Sequence, residues 1–196
     1  MSKTRIEAFT DAVIAIVMTL LVLEIATPSE PTWSAFFESE HKILVYVISF
    51  VTLAIYWNNH HHMFQIVHRI NGKVLWANNF LIFTLSLFPF ATAWVGEGLF
   101  AWPPQAVYGF VTLGANVAYY ILNTTLVKAN GKNSAIGVLN SDHTKLFISI
   151  GANILGLLLG YFVAPILVIV INTLVLLIWA VPQKKIEENI DKYAGK

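Results

Sequence analysis

The chain has 196 residues, 57% hydrophobic and only 12% charged, with a formal net charge of +1 and a mean hydropathy of +0.66. Soluble domains carry about 25% charged residues, so this is a membrane composition, and the small net charge excludes a nucleic-acid partner. Cysteine is absent, which excludes disulfides, thiolate metal sites and cysteine nucleophiles.

Six apolar stretches are expected to cross the bilayer, at 5–26, 41–66, 74–96, 104–127, 144–162 and 164–182. At about 20 residues per crossing they occupy most of the chain and leave short loops, with no separate soluble domain. The first stretch opens with the acidic Glu7 and Asp11 and has no A-x-A site, so it reads as a retained helix and not a cleaved signal. A polar linker from Thr27 to Glu40, with Pro28 and Pro31, separates the first two spans. Asn71-Gly72 marks the turn into the third. Pro103-Pro104 opens the fourth where a helix start tolerates proline. Asn130 to Ser134 divides the fourth from the fifth, and Val163-Ala164-Pro165 the fifth from the sixth. The chain thus divides into a six-helix unit, 1–182, and a charged tail, 183–196. Gly156 and Gly160 in the fifth span, and Gly109, Gly114 and Ala118 in the fourth, suit close helix approach.

Lys and Arg set the orientation. Eleven of the twelve (Lys3, Arg5, Arg69, Lys73, Lys128, Lys132, Lys145, Lys184, Lys185, Lys192 and Lys196) fall on one side of a six-span arrangement, and only Lys42 on the other. The bias places both termini in the cytoplasm. Trp33, Trp94 and Trp102 fall near the opposite interface, where indole rings favour headgroups.

Polar side chains at membrane depth need partners or water, and two clusters require explanation. One is Arg5, Thr10 and Asp11; the other is Trp57, Asn58, Asn59, His60, His61 and His62. Asp11 lies about 9 Å along its helix from Arg5, and His61 about 12 Å from Arg69, so the clusters match in height. Asp11 is in reach of the Trp57 N–H, an asparagine amide or a histidine, and Asn78 and Asn79 lie at similar depth. Such groups either simply pin helices together or serve a functional network. Successive helical residues point about 100° apart, so the three histidines cannot share one metal. With no HExxH pattern or paired carboxylates, no metal site, cofactor or enzyme activity is expected.

The segment Arg5-Ile6-Glu7-Ala8-Phe9-Thr10-Asp11 fits the pattern Arg-x-x-x-Phe-Ser/Thr-Asp at the start of a first transmembrane helix. With the six-span topology and the Trp57/His61 region, the chain resembles the bacterial, single-unit branch of the transmembrane-protein-175 family of potassium channels. Thr10 stands where serine is usual and keeps a hydroxyl. The resemblance implies a homotetramer in the bacterial inner membrane, crossing it several times, with helix one lining a central pore for monovalent cations, potassium above all. It implies an all-α channel whose constriction is formed by Ile16, Leu20 and Leu23, with Thr19 as a neighbouring pore hydroxyl. It also implies a network drawn from Arg5, Phe9, Thr10, Asp11, Trp57, Asn58 and His61.

Periodicity alone does not orient a helix that is apolar all round. With Ile16 at zero on a helical wheel, Leu20 falls at about +40°, Leu23 at about −20°, Thr19 at about −60° and Asp11 at about −140°. The pore residues would share one stripe, with Asp11 behind it. Glu24 would flank the outer mouth and raise the local cation concentration. No Thr-Val-Gly-Tyr-Gly filter is present, so modest selectivity is expected. A secondary transporter or a proton-conducting protein is the alternative, and transporters usually carry internal repeats not found here.

Overall fold

The computed structural model describes residues 3–139 and 143–180. The expected tail, 183–196, and the last residues of the expected sixth span lie outside this range. All regular structure among the described residues is α-helical. In chain order the helices are α1 (Lys3–Leu23), α2 (Trp33–Glu38), α3 (Glu40–Gln65), α4 (Gly72–Ser86), α5 (Phe88–Glu97), α6 (Trp102–Asn130), α7 (Ala135–Leu139), α8 (Thr144–Phe162) and α9 (Leu167–Ala180).

Among the described residues five segments are long and apolar enough to cross a membrane: α1, α3, α4 with α5, α6 and α8. The described part of α9 has 14 residues, short of the about 20 that span a bilayer. A helix satisfies its own backbone groups, which lipid cannot do.

Most boundaries differ from the sequence expectation by up to three residues, α6 running from Trp102 to Asn130 and not from 104 to 127, and three differences bear on the architecture. The first helix ends at Leu23, not at 26, and the chain leaves it through a turn in which the Ile25 N–H donates to the Val22 carbonyl at 3.3 Å. The third span is not continuous. It breaks at Leu87, since Pro89 has no N–H and crowds the Leu85 carbonyl; the Leu87 N–H turns back to the Thr84 carbonyl at 3.3 Å. The linker after α1 is not wholly irregular. It contains α2, whose N-cap Thr32 accepts from the Ala35 N–H at 3.3 Å.

The bundle has two parts, joined by the packing of α4 and α5 on α6. α1 lies against α3, α4 and α5, while α8 and α9 form a hairpin docked on α6. Three connections between segments are pinned by side chains. Asn130 accepts from the His68 and Arg69 N–H groups (3.0 and 2.8 Å) and donates to the Arg69 carbonyl (3.0 Å), holding the α3–α4 loop on the end of α6. Gln105 accepts from the Ile169 N–H at 3.2 Å and donates to the Leu99 carbonyl at 2.7 Å, which satisfies a donor left free at the start of α9. At the opposite end Lys42 pairs with Glu97 at 2.6 Å, tying the start of α3 to the end of α5. The isolated cation of that side thus finds the acid of the α5–α6 connection.

A chain of amides crosses the second part. Tyr56 Oη donates to Asn116 Oδ1 (2.8 Å), and Asn116 Nδ2 donates to Asn153 Oδ1 (2.6 Å). Asn153 Nδ2 donates to Asn172 Oδ1, and Asn172 Nδ2 to the Val168 carbonyl (2.9 Å). Four helices, α3, α6, α8 and α9, are joined by this buried line. Sequence pattern does not predict this line, although Asn116, Asn153 and Asn172 each interrupt an otherwise apolar stretch.

The glycines of α6 and α8 are not equivalent. A Cβ at Gly160 would overlap Val168 Cγ2 and approach Trp102 at 3.2 Å, and one at Gly109 would sit 2.6 Å from Leu157 and 2.8 Å from Val168. A Cβ at Gly156 would meet Ile171 at an ordinary 3.5 Å. Val168 is β-branched and stiff at χ1, so it cannot swing aside. Gly160→Ala should therefore destabilise the protein by about 1–3 kcal/mol, whereas Gly156→Ala should be close to neutral. Thermal unfolding of the two variants in the same detergent checks the contrast.

Candidate functional site on the first helix

The helix α1 presents two faces. Ile6, Thr10, Ile14, Val17 and Leu21 recur at three- and four-residue spacing and are all buried against the protomer, as one stripe of a 3.6-residue helix must be. On the other side Ile16 is 58% exposed, Leu20 43% and Leu23 76%. Ala12 and Thr19 share that exposed face. The Thr19 hydroxyl donates to the Ile16 carbonyl at 2.8 Å. Its proton is thus used within the helix, and its oxygen lone pairs are left to face outward. Glu24 is exposed but lies just past the last helical residue, so its wheel position does not apply to it.

Two polar groups hold the rotation of α1. In the first, buried throughout, Asn78 of α4 donates from Nδ2 to Thr10 Oγ1 at 2.8 Å and pairs through Oδ1 with His60 Nε2 of α3 at 2.9 Å. His60 stacks on Phe64 with ring centroids 4.2 Å apart. One asparagine therefore joins three helices at one level. In the second group, Trp57 Nε1 donates to Asp11 Oδ1 at 3.0 Å. The Trp57 ring stacks on His61 at 5.7 Å, and Gln65 Nε2 donates to His61 Nε2 at 2.9 Å. Lys3 closes this end of the helix pair by donating to the Gln65 carbonyl at 3.0 Å.

Of the signature and network residues, the structure brings together Thr10, Asp11, Trp57 and His61, but in two groups and not one. The histidine that reaches Thr10 is His60, through Asn78, while His61 meets Asp11 only through the Trp57 ring. Arg5, Phe9 and Asn58 are all exposed, and their side chains make no hydrogen bond among the described residues. Phe9 instead lines an open groove between α1 and α4, of about 490 Å³, with Ile6, Leu75, Asn79 and Phe83. Among the described residues no group of three or more His, Asp or Glu side chains is arranged to hold a metal ion.

Asn78 is the shared member of the buried group. Asn78→Leu should strand the Thr10 hydroxyl and His60 Nε2 and lower stability by about 1–2 kcal/mol. Thr10→Ser, which keeps the oxygen, should lose less than half as much. Unfolding temperatures in detergent decide it, and equal losses would assign the effect to packing alone.

Comparison with known proteins gives a consistent picture. Residues 5–89 match the family model described as the endosomal/lysosomal potassium channel TMEM175. A protein of Chryseobacterium sp. (strain P1-3), named a potassium channel, is 41% identical over 190 residues, covering 97% of this chain and 98% of its own. The Bos taurus protein named endosomal/lysosomal proton channel TMEM175 is 37% identical over 81 residues, or 35% of this chain and 17% of that one. Among solved structures, that of a lysosomal potassium-selective channel TMEM175 homolog from Chamaesiphon minutus matches with a TM-score of 0.79 at 24% identity, covering 91% of this chain and 96% of that one. This last likeness establishes the all-helical channel fold. The relatives are channels and not enzymes, and the near full-length match at 41% identity places this chain in the TMEM175 family of multi-pass membrane cation channels.

Proposed function

We propose that the chain is the subunit of a potassium-permeable, modestly selective channel in the bacterial inner membrane, six-spanning with both termini cytoplasmic. Four copies surround a pore lined by α1. The observation that carries the reading is the exposed aliphatic stripe of α1 set opposite a fully buried one. The names of the Chryseobacterium and Chamaesiphon minutus proteins supply the ion.

In this reading Ile16, Leu20 and Leu23 form a hydrophobic constriction that stops ions by dewetting when narrow. On dilation a cation crosses with part of its water shell. Potassium passes more readily than sodium because it surrenders hydration at lower cost. The outward lone pairs of Thr19 replace some of the lost water, and Glu24 concentrates cations at the outer mouth. Without a cage of carbonyls, discrimination stays modest. A second reading, proton conduction by the same pore, is favoured by the name of the bovine relative.

Reconstitution into liposomes under a potassium gradient tests the proposal, with planar-bilayer recording of single-channel steps. Saturating flux that demands a counter-ion would point instead to a transporter. Proton flux measured in the same vesicles separates the second reading. Ile16→Asn should raise unitary conductance several-fold and blur the preference for potassium over sodium, since a polar ring no longer dewets. Currents unaltered by that substitution would remove Ile16 from the gate.

A further inference from the structure

Two asparagines remain without partners at a depth where polar groups need them. Asn58 on α3 and Asn79 on α4 are both exposed in the protomer, and neither side-chain amide makes a hydrogen bond among the described residues. Each lies seven residues from the end of its helix at the α3–α4 loop, Asn58 before Gln65 and Asn79 after Gly72, or about 10 Å along the axis. Their levels are tied by a direct contact. The His60–Asn78 pair at 2.9 Å fixes the register of the two helices. Asn58 is two residues from His60 and Asn79 one residue from Asn78, in the same direction along the bundle. They therefore differ in height by only about 1.5 Å.

The two amides stand on opposite flanks of α1. Asp11, at about −140° on the α1 wheel, holds Trp57 of α3. The α4 side carries the groove lined by Ile6, at about +80°, and Phe9, at about +20° beside the Ile16 stripe, together with Leu75, Asn79 and Phe83. Rotation about an axis along the membrane normal preserves depth. In a ring with α1 innermost, each protomer turns its α3 flank to the α4 flank of the next, as a heterologous, closing interface requires.

We propose that Asn58 of one protomer pairs with Asn79 of its neighbour, and that the α4 edge of this groove, at Leu75, Asn79 and Phe83, is the seat of the neighbour's α3. The inference rests on the proposed ring of subunits and goes beyond it by naming the contact. A carboxamide carries both donors and an acceptor, so two of them complete each other without any charge. Lipid offers no such partner to an amide at this depth.

The natural absence of cysteine allows a clean test. Chains of two sizes are co-expressed, one with Asn58→Cys and the other with Asn79→Cys, and membranes are treated with a short bis-thiol linker. A band joining the two sizes is expected, and none from either variant alone. One chain carrying both cysteines should give a ladder up to the full ring. In parallel, Asn58→Leu, Asn79→Leu and the double variant are compared for subunit dissociation on dilution in detergent. Each single change should weaken an interface roughly 3- to 20-fold, and the double change should add little to either. An intact tetramer by native mass with no mixed-size band, or with strictly additive losses, overturns the pairing while leaving the channel reading in place. A wild-type chain that is monomeric by mass, with no flux in liposomes, overturns both.

Discussion

The arrangement of the bundle turns on one buried junction, Thr10–Asn78–His60. The helix α1 is apolar nearly all round, and hydrophobicity does not decide which side of such a helix faces its protomer. A hydrogen bond is directional, and a threonine oxygen met by an amide at 2.8 Å determines both rotation and height. Interhelical bonds in membranes contribute modestly, on the order of 1 kcal/mol. The junction therefore acts less through strength than through selection among rotations that would otherwise be nearly equal in energy. Asp11, one residue further on, accepts from Trp57 and fixes the same rotation from the other flank.

From that rotation follows the identity of the exposed stripe. With Thr10 inward, Ile14, Val17 and Leu21 follow it into the core, and Ile16, Leu20 and Leu23 are left outside. The polar groups of the signature thus govern which aliphatic residues are exposed without touching them. Between Ala12 and Leu23 only Thr19 adds a polar side chain to the exposed stripe, and its hydroxyl proton is already engaged within the helix.

The second part of the bundle is built by different means. Small residues at Gly109 and Gly160 let α6, α8 and α9 close around Val168, and the Asn116–Asn153–Asn172 line crosses the same helices. Close approach and satisfied amides reinforce each other, because buried amides rigidify only when every member has a partner. The result is a stiff support beside the α1, α3 and α4 assembly. Aromatic side chains stand exposed at both ends of the bundle, Trp33 and Trp94 at one and Trp76 at the other, as the two water–lipid interfaces favour.

The sequence alone was enough for the helical membrane class, the positions of the apolar segments and the family signature. Each of these rests on local properties: long uncharged runs, turn residues, and a short pattern of contiguous residues. The pairing of Asp11 with Trp57 was also within reach, because two polar groups at equal depth have few alternatives. The sequence could not single out His60 over His61 as the partner of Thr10's junction, because adjacent residues differ only by a rotation of about 100° that depends on where neighbouring helices lie. It did not reveal the break at Leu87, where hydropathy continues unbroken across Pro89. Nor did it reveal the asparagine line, whose members lie up to 56 positions apart, from Asn116 to Asn172. Composition and pattern determine what a segment is; only the packed structure decides which way it faces, because facing is set by contacts between residues remote in the chain.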